Sequence, residues 1–293
     1  MTPAGAPAEC VVNISEGRDA TVIAMVAAAG GACLLDVHSD PEHHRSVLTL
    51  AGPLDDVEVA ARQVARAAVS AIDLTTHRGV HPRLGAVDVV PFVPLPGLDG
   101  TGIEWSSAVA ARDAFADWAA TELALPSFLY GTGRTLPQIR REAFTSLAPD
   151  AGPPVPHPTA GAVAVGARPV LIAYNVWISV PGRTDAGTGP STLGVARTLA
   201  AELRRPGLRT LGLPVGDGAQ VSCNVVDPGR VALTEVYDAV AVGAALHGME
   251  VDRGELVGLL PATALAAVPR GRWSELGLRA EDTIESRLAT RTG

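Results

Sequence analysis

Apolar positions along the chain follow two periods. Residues 9–13 read as a short strand. Behind Asp19, a side chain suited to capping a first turn, Val22, Ile23, Val26 and Ala29 form a helical stripe over residues 20–30. A second strand is predicted over residues 33–37. In a third, over residues 45–51, Ser46, Leu48 and Leu50 alternate with Val47, Thr49 and Ala51. Residues 54–74 return to the helical period: Val57, Ala61, Val64, Ala68 and Ile72 make one face. Asp55, Asp56 and Glu58 sit in its first turns, where the helix dipole favours negative charge. Residues 86–93 form the next strand, and the order so far is βαββαβ. A helix over 104–123, a strand over 128–130 and a short helix over 136–144 extend this unit. The proline-rich stretch 148–161 then excludes regular structure. Beyond it the order recurs. A strand (169–179), a helix behind a capping serine (191–204), a strand pair (208–215 and 219–226), a helix (233–246) and a strand (251–260) repeat βαββαβ.

The recurrence is one of element order; the halves share no sequence identity. It predicts an α+β protein of two tandem ferredoxin-like (βαββαβ) subdomains, each a four-stranded antiparallel sheet with helices on one face. The boundary falls near residues 166–169, giving subdomains 1–167 and 168–293. The two sheets are expected to face each other across a cleft, a favoured place for a ligand.

Composition narrows the chemistry. The net charge of −8 argues against non-specific nucleic-acid or anionic-membrane partners, and the aromatic content of 4% is too sparse for RNA-stacking sheets. All 23 Lys+Arg residues are arginine, which excludes Schiff-base, P-loop and general-base lysines. Cys10, Cys33 and Cys223 lie far apart in apolar runs and read as buried free thiols. No segment has the ~20 apolar residues of a membrane span, and the N-terminus lacks a signal-peptide pattern. A cytoplasmic protein is expected.

Two clusters carry candidate chemistry. The first, residues 76–85 (Thr-His-Arg-Gly-Val-His-Pro-Arg-Leu-Gly), is a shaped loop between a helix and a strand. A histidine there can carry a proton near neutral pH, and arginines beside it can hold carboxylates; a plain solvated loop is the alternative. The second, residues 36–45, holds Asp36, His38, Asp40, Glu42, His43, His44 and Arg45. If extended, His43 and His44 point to opposite sides, which disfavours a metal centre, and none is expected. A polar substrate-binding edge is the better reading. The turn at residues 15–18 offers amides to an anion, although a simple turn explains it equally.

The order of short motifs resembles one family. Residues 9–18 (Glu-Cys-Val-Val-Asn-Ile-Ser-Glu-Gly-Arg) resemble the ECVPNFSEGR opening of glutamate formimidoyltransferases. Residues 77–88 resemble their HKGEHPRMGALD. Residues 161–168, with 171–175 after them, are similar to their GATATGARKFLIAFN. Residues 134–137 and 255–261 match as well, so the resemblance runs from about Glu9 to Ala266.

The resemblance implies transfer of a formimidoyl group from N-formimidoyl-L-glutamate to N5 of tetrahydrofolate, a co-substrate held between two ferredoxin-like subdomains. It implies small-molecule substrates and a homodimer. In the bifunctional relatives a cyclodeaminase domain follows; this chain is expected to lack one. The family's catalytic histidine matches His81. Arg83, Arg45 and Arg168 are candidates for substrate carboxylates, Arg45 first. The folate-binding stretch matches residues 152–161, with Gly152, Pro153, His157 and Gly161; Asn13 and Asn175 lie in matching motifs. Two departures bear on activity. His38 stands where the family has an aspartate beside its catalytic histidine, a place Asp36 or Asp40 can fill. Trp177 stands where the family has asparagine, and its ring either closes part of the pocket or stacks on a pterin. These departures keep two alternatives open: a folate-dependent transferase using another amidine donor, and a folate-binding protein without turnover.

Overall fold

A computed structural model describes residues 7–79, 82–96, 102–181, 190–216 and 218–291, apart from the side chains of 190 and 191. The chain forms two compact units, residues 1–169 and 170–293.

The first unit opens with β1 (Pro7–Ile14), α1 (Ala20–Ala28), β2 (Leu34–Asp40), β3 (Arg45–Pro53), α2 (Leu54–Ala71) and β4 (Val87–Pro94). Asp19 caps α1 as its sequence position predicts: its carboxylate accepts the Thr21 and Val22 amides. The chain continues through α3 (Trp105–Glu122), β5 (Ser127–Tyr130), α4 (Leu136–Glu142) and β6 (Val163–Ala167). These strands build one six-stranded sheet in the order β2-β3-β1-β4-β6-β5. The β1, β2, β3 and β4 pairings are antiparallel, whereas β6 runs parallel to both β4 and β5.

The expected four-stranded sheet is therefore extended by two strands, and β6 is an element the proline-rich linker concealed. Helices also lie on both faces. Cys10, Val12, Leu48, Leu50, Val163 and Val165 pack with the buried residues of α1, α2 and α3. Ala162, Ala164, Phe128 and Tyr130 point the other way, onto Ile139 and Leu136 of α4. The cause is directional. From β4 the chain steps two places across the sheet to β5, then one place back to β6. With one crossover hand, a reversed step puts its helix on the reverse face.

The second unit contains β7 (Ile172–Ser179), α5 (Pro190–Leu203), β8 (Leu208–Val215), β9 (Gly218–Val225), α6 (Leu233–Leu246) and β10 (Glu250–Val257), followed by the short helices α7 (Ala262–Ala266) and α8 (Ile284–Ala289). Its sheet has four strands in the order β10-β7-β9-β8, all antiparallel. Ile172, Tyr174, Val176 and Ile178 alternate into a core with the buried residues of α5 and α6. Asn175 and Trp177 consequently stand on the opposite face.

Candidate active site

At one end of the six-stranded sheet β1 and β2 finish and β3 and β4 begin. The loop residues 15–19, 41–44, 72–79 and 82–86 gather there. The face away from α1, α2 and α3 carries a polar array next to them. Register places Asp36 opposite Thr49, His38 opposite Val47 and Asp40 opposite Arg45, with Asn13 opposite Val47 from the other side. Sheet pairing thus brings together four residues singled out from the sequence: Asn13, Asp36, His38 and Arg45. Asn13 is buried, and its Nδ2 donates to the Val11 carbonyl at 2.8 Å. Arg45 is pushed down to about 10 by burial, which the Asp88 charge opposes and the Arg140 charge reinforces; it stays cationic at neutral pH.

Residues 41–44 are a turn, so His43 and His44 are not related as in a strand; His44 takes φ 51°. His43 turns back to Asp40, 2.5 Å from its carboxylate. Burial raises the Asp40 carboxyl, but the His43 side-chain and backbone hydrogen bonds, the His43 charge and the Glu42 amide outweigh it and hold Asp40 at about 2. His44 Nδ1 accepts the Gly17 amide at 3.1 Å. Its ring lies 3.9 Å from that of His77. His77 Nδ1 in turn meets Arg83 Nη1. Burial first, then the Arg83 and His44 charges, lowers His77 to about 4, so this ring is neutral at pH 7. Burial also lowers His44. In the turn at 15–18 the Glu16 carboxylate accepts the Arg18 and Asp19 amides at 2.7 and 3.0 Å, which fills the anion position locally.

His81, with Val80, lies outside the described residues. The backbone on either side is tightly held. Gly79 packs so closely on the 43–44 turn that a Cβ there would lie 2.8 Å from the His43 carbonyl oxygen. Beyond it, the Pro82 carbonyl accepts from Arg140 Nη1 at 2.7 Å, and the Leu84 amide donates to Asp88 Oδ1 at 2.6 Å. Asp88 is 1% exposed, and its Oδ2 accepts from Arg140 Nη2 at 2.5 Å.

The end of the proline-rich stretch runs along the same loop. The Leu74 amide donates to the Thr159 carbonyl, Ala86 to Ala160, and Ala162 to Leu84. Gly85 and Gly161 meet as bridge partners. Gly161 takes φ +69°, and a Cβ there would lie 2.5 Å from the Leu84 carbonyl oxygen, so backbone can approach backbone only with glycine. His157 is held at this junction, its Nδ1 accepting the Ala160 amide at 3.0 Å. His157 and Gly161 therefore lie beside the 76–85 loop. Gly152 does not: it lies near Leu125 and Pro126, at the start of β5, with Pro153 following it. Arg168 is farther still. Its amide donates to the Phe92 carbonyl near the other end of β4, roughly 15 Å along the sheet.

In the second unit, Asn175 Nδ2 and Trp177 Nε1 both donate to Glu255 Oε2, at 3.1 and 3.0 Å. The Arg253 guanidinium lies 3.7 Å from the centre of the Trp177 ring. Glu255 and Arg253 were not singled out from the sequence. Neither were His77, Asp88 and Arg140. The sequence signal for His77 is its place in the same loop as His81. Asp88 closes the 77–88 motif, whereas Arg140, 52 residues away, gives none.

The family model for the formiminotransferase domain, N-terminal subdomain, matches residues 7–168. The chain belongs to the formiminotransferase family. It is 36% identical to the glutamate formimidoyltransferase of Streptococcus pyogenes serotype M1 over 94% of both chains. It is 32% identical to that of Thermoplasma acidophilum, covering 90% of the relative. With the formimidoyltransferase-cyclodeaminase of Sus scrofa it shares 35% identity over 50% of that protein's length.

Proposed function

We propose that this protein transfers a formimidoyl group from N-formimidoyl-L-glutamate to N5 of tetrahydrofolate, with His81 as the general acid and base. The observation that carries the reading is near end-to-end similarity to proteins named for this transfer. The anchored loop on both sides of His81 supports it.

The reaction exchanges one nitrogen partner for another. N5 attacks the amidine carbon, and a tetrahedral intermediate forms. N5 then loses its proton, the glutamate nitrogen gains one, and the bond from carbon to that nitrogen breaks. An imidazole titrating near neutrality serves both proton transfers. His77, neutral and paired with Arg83, is suited to holding the loop rather than to carrying this proton. Asp36 and His38 are the proposed partners of His81. Arg45 and Arg83 are assigned carboxylates near the reacting carbon, and Arg168 a carboxylate distant from it. Gly152, Pro153, His157 and Gly161, with Asn13, Asn175 and Trp177, are assigned to folate or donor binding. Holding both substrates together supplies much of the remaining acceleration.

The proposal includes two ferredoxin-like subdomains, 1–167 and 168–293, with sheets facing across the substrate cleft, and a cytoplasmic homodimer. The β4-β1-β3-β2 and β10-β7-β9-β8 orders, one pattern in two units, support the ferredoxin-like reading of each unit by itself; the family resemblance supports the rest.

Incubation with formimidoylglutamate and tetrahydrofolate should yield 5-formimidoyltetrahydrofolate and glutamate. Trp177, where the family has asparagine, is engaged by Glu255 and Arg253, which favours one second reading, a different amidine donor. Faster turnover of formimidoylglycine than of formimidoylglutamate selects that reading. Folate binding without any product over long incubation removes both.

A further inference from the structure

We propose that Asp88 and Arg140 act together as a positioning clamp for the catalytic loop, fixing the backbone immediately after His81. The inference rests on the role of His81 given above.

The geometry is specific. Arg140, on α4, uses one guanidinium for two tasks: Nη2 and Nη1 reach both Asp88 oxygens, at 2.5 and 3.3 Å, and Nη1 also donates to the Pro82 carbonyl at 2.7 Å. Asp88 Oδ1 also takes the Leu84 amide at 2.6 Å. The pair thus grips the first and third residues after His81. The Asp88–Arg140 pair is not a generic surface bridge, since the Asp88 side chain is 2% exposed. A planar fork that binds a carboxylate and a carbonyl at once is a task for arginine, not lysine. Arg83 lies between the gripped residues and extends to His77, which stacks on His44, so the clamp and the histidine pair hold opposite sides of one short segment.

A group that must deliver a proton in one direction and return it in another tolerates little displacement. The clamp contacts no substrate in this account; it acts through the backbone. Its loss should lower kcat and leave both KM values nearly unchanged.

The test uses the whole protein with Arg140→Gln and, separately, Asp88→Asn, which keeps an acceptor for the Leu84 amide but removes the charge. Hydrogen exchange is read at Leu84 and Gly85, beside kcat and KM. We expect exchange at Leu84 to rise about tenfold or more in Arg140→Gln, with the amides of β1 and β3 unchanged. We expect kcat to fall about 10- to 100-fold, with each KM within threefold. Arg140→Lys, which keeps the charge but not the fork, should fall between. It carries the comparison if the glutamine variant does not fold. Unchanged exchange at Leu84 overturns the clamp, as does unchanged kcat in a variant whose loop exchanges faster. If the wild type transfers no formimidoyl group, the function above fails, whereas the exchange data still decide whether the pair holds the loop.

Discussion

At His77, burial, the Arg83 guanidinium and the His44 ring all oppose protonation, and the consequence is a pH dependence with a definite sign. In the unfolded chain the ring takes a proton near its ordinary value of 6.5; in the folded protein it does so only near 4. Between these values the unfolded chain holds the extra proton. Stability therefore falls as pH drops from about 7 to about 4 and levels off below. The urea midpoint should be lower at about pH 5 than at about pH 7, and His77→Asn should flatten that difference. An NMR titration placing His77 near its ordinary value would contradict the assignment. His81→Ala should cost about 10²- to 10⁴-fold in kcat while leaving the protein folded by circular dichroism, the range expected for a general acid-base group. A fully active variant would remove His81 from the mechanism. The sequence makes such residues visible by type: histidines and arginines crowded onto a glycine- and proline-bounded loop. Arg140 gives no such signal. Its meeting with Asp88 depends on α4 crossing to the second face of the sheet, which no local spacing encodes.

Strand periodicity was informative where one face is buried by helices and the other carries the polar array. In β3, Leu48 and Leu50 face the helical core while Arg45, Val47 and Thr49 face away. It failed for β6. That strand is covered on both faces, so Val163 through Ala167 are all buried and show no alternation. Its five small residues also follow directly on a proline-rich run. The junction just before it sets a strict requirement. Gly161→Ala places a side chain at φ +69° against the Leu84 carbonyl oxygen. It should destabilise the protein by about 2 kcal/mol or more, measured by urea unfolding. A change under about 0.5 kcal/mol would show that the backbones can separate at no cost.

The whole molecule consists of two units with separate cores, and the function proposed above assigns substrate contacts to Arg45, His157 and Gly161 of one and to Asn175 and Trp177 of the other. Saturating tetrahydrofolate, at about 100 times its Kd, should raise stability by about 2.7 kcal/mol, read as an upward shift in Tm. Amides of both β3 and β7 should exchange more slowly. Slowing confined to one unit would restrict the folate site to that unit. The repeated order of elements made the two-unit organisation legible, because βαββαβ is written in local periods. The two added strands of the first unit were less so, since their pairing is non-local. The β6 insertion governs how the chain is made. Among the described residues, β5 hydrogen-bonds within the sheet only to β6. During vectorial synthesis it must therefore wait for its partner strand until at least 33 further residues have left the ribosome (Tyr130 to Val163). Until then β4 presents a bare hydrogen-bonding edge, a template for wrong association. A nascent chain stalled between those points should be the aggregation-prone species in the life of this protein.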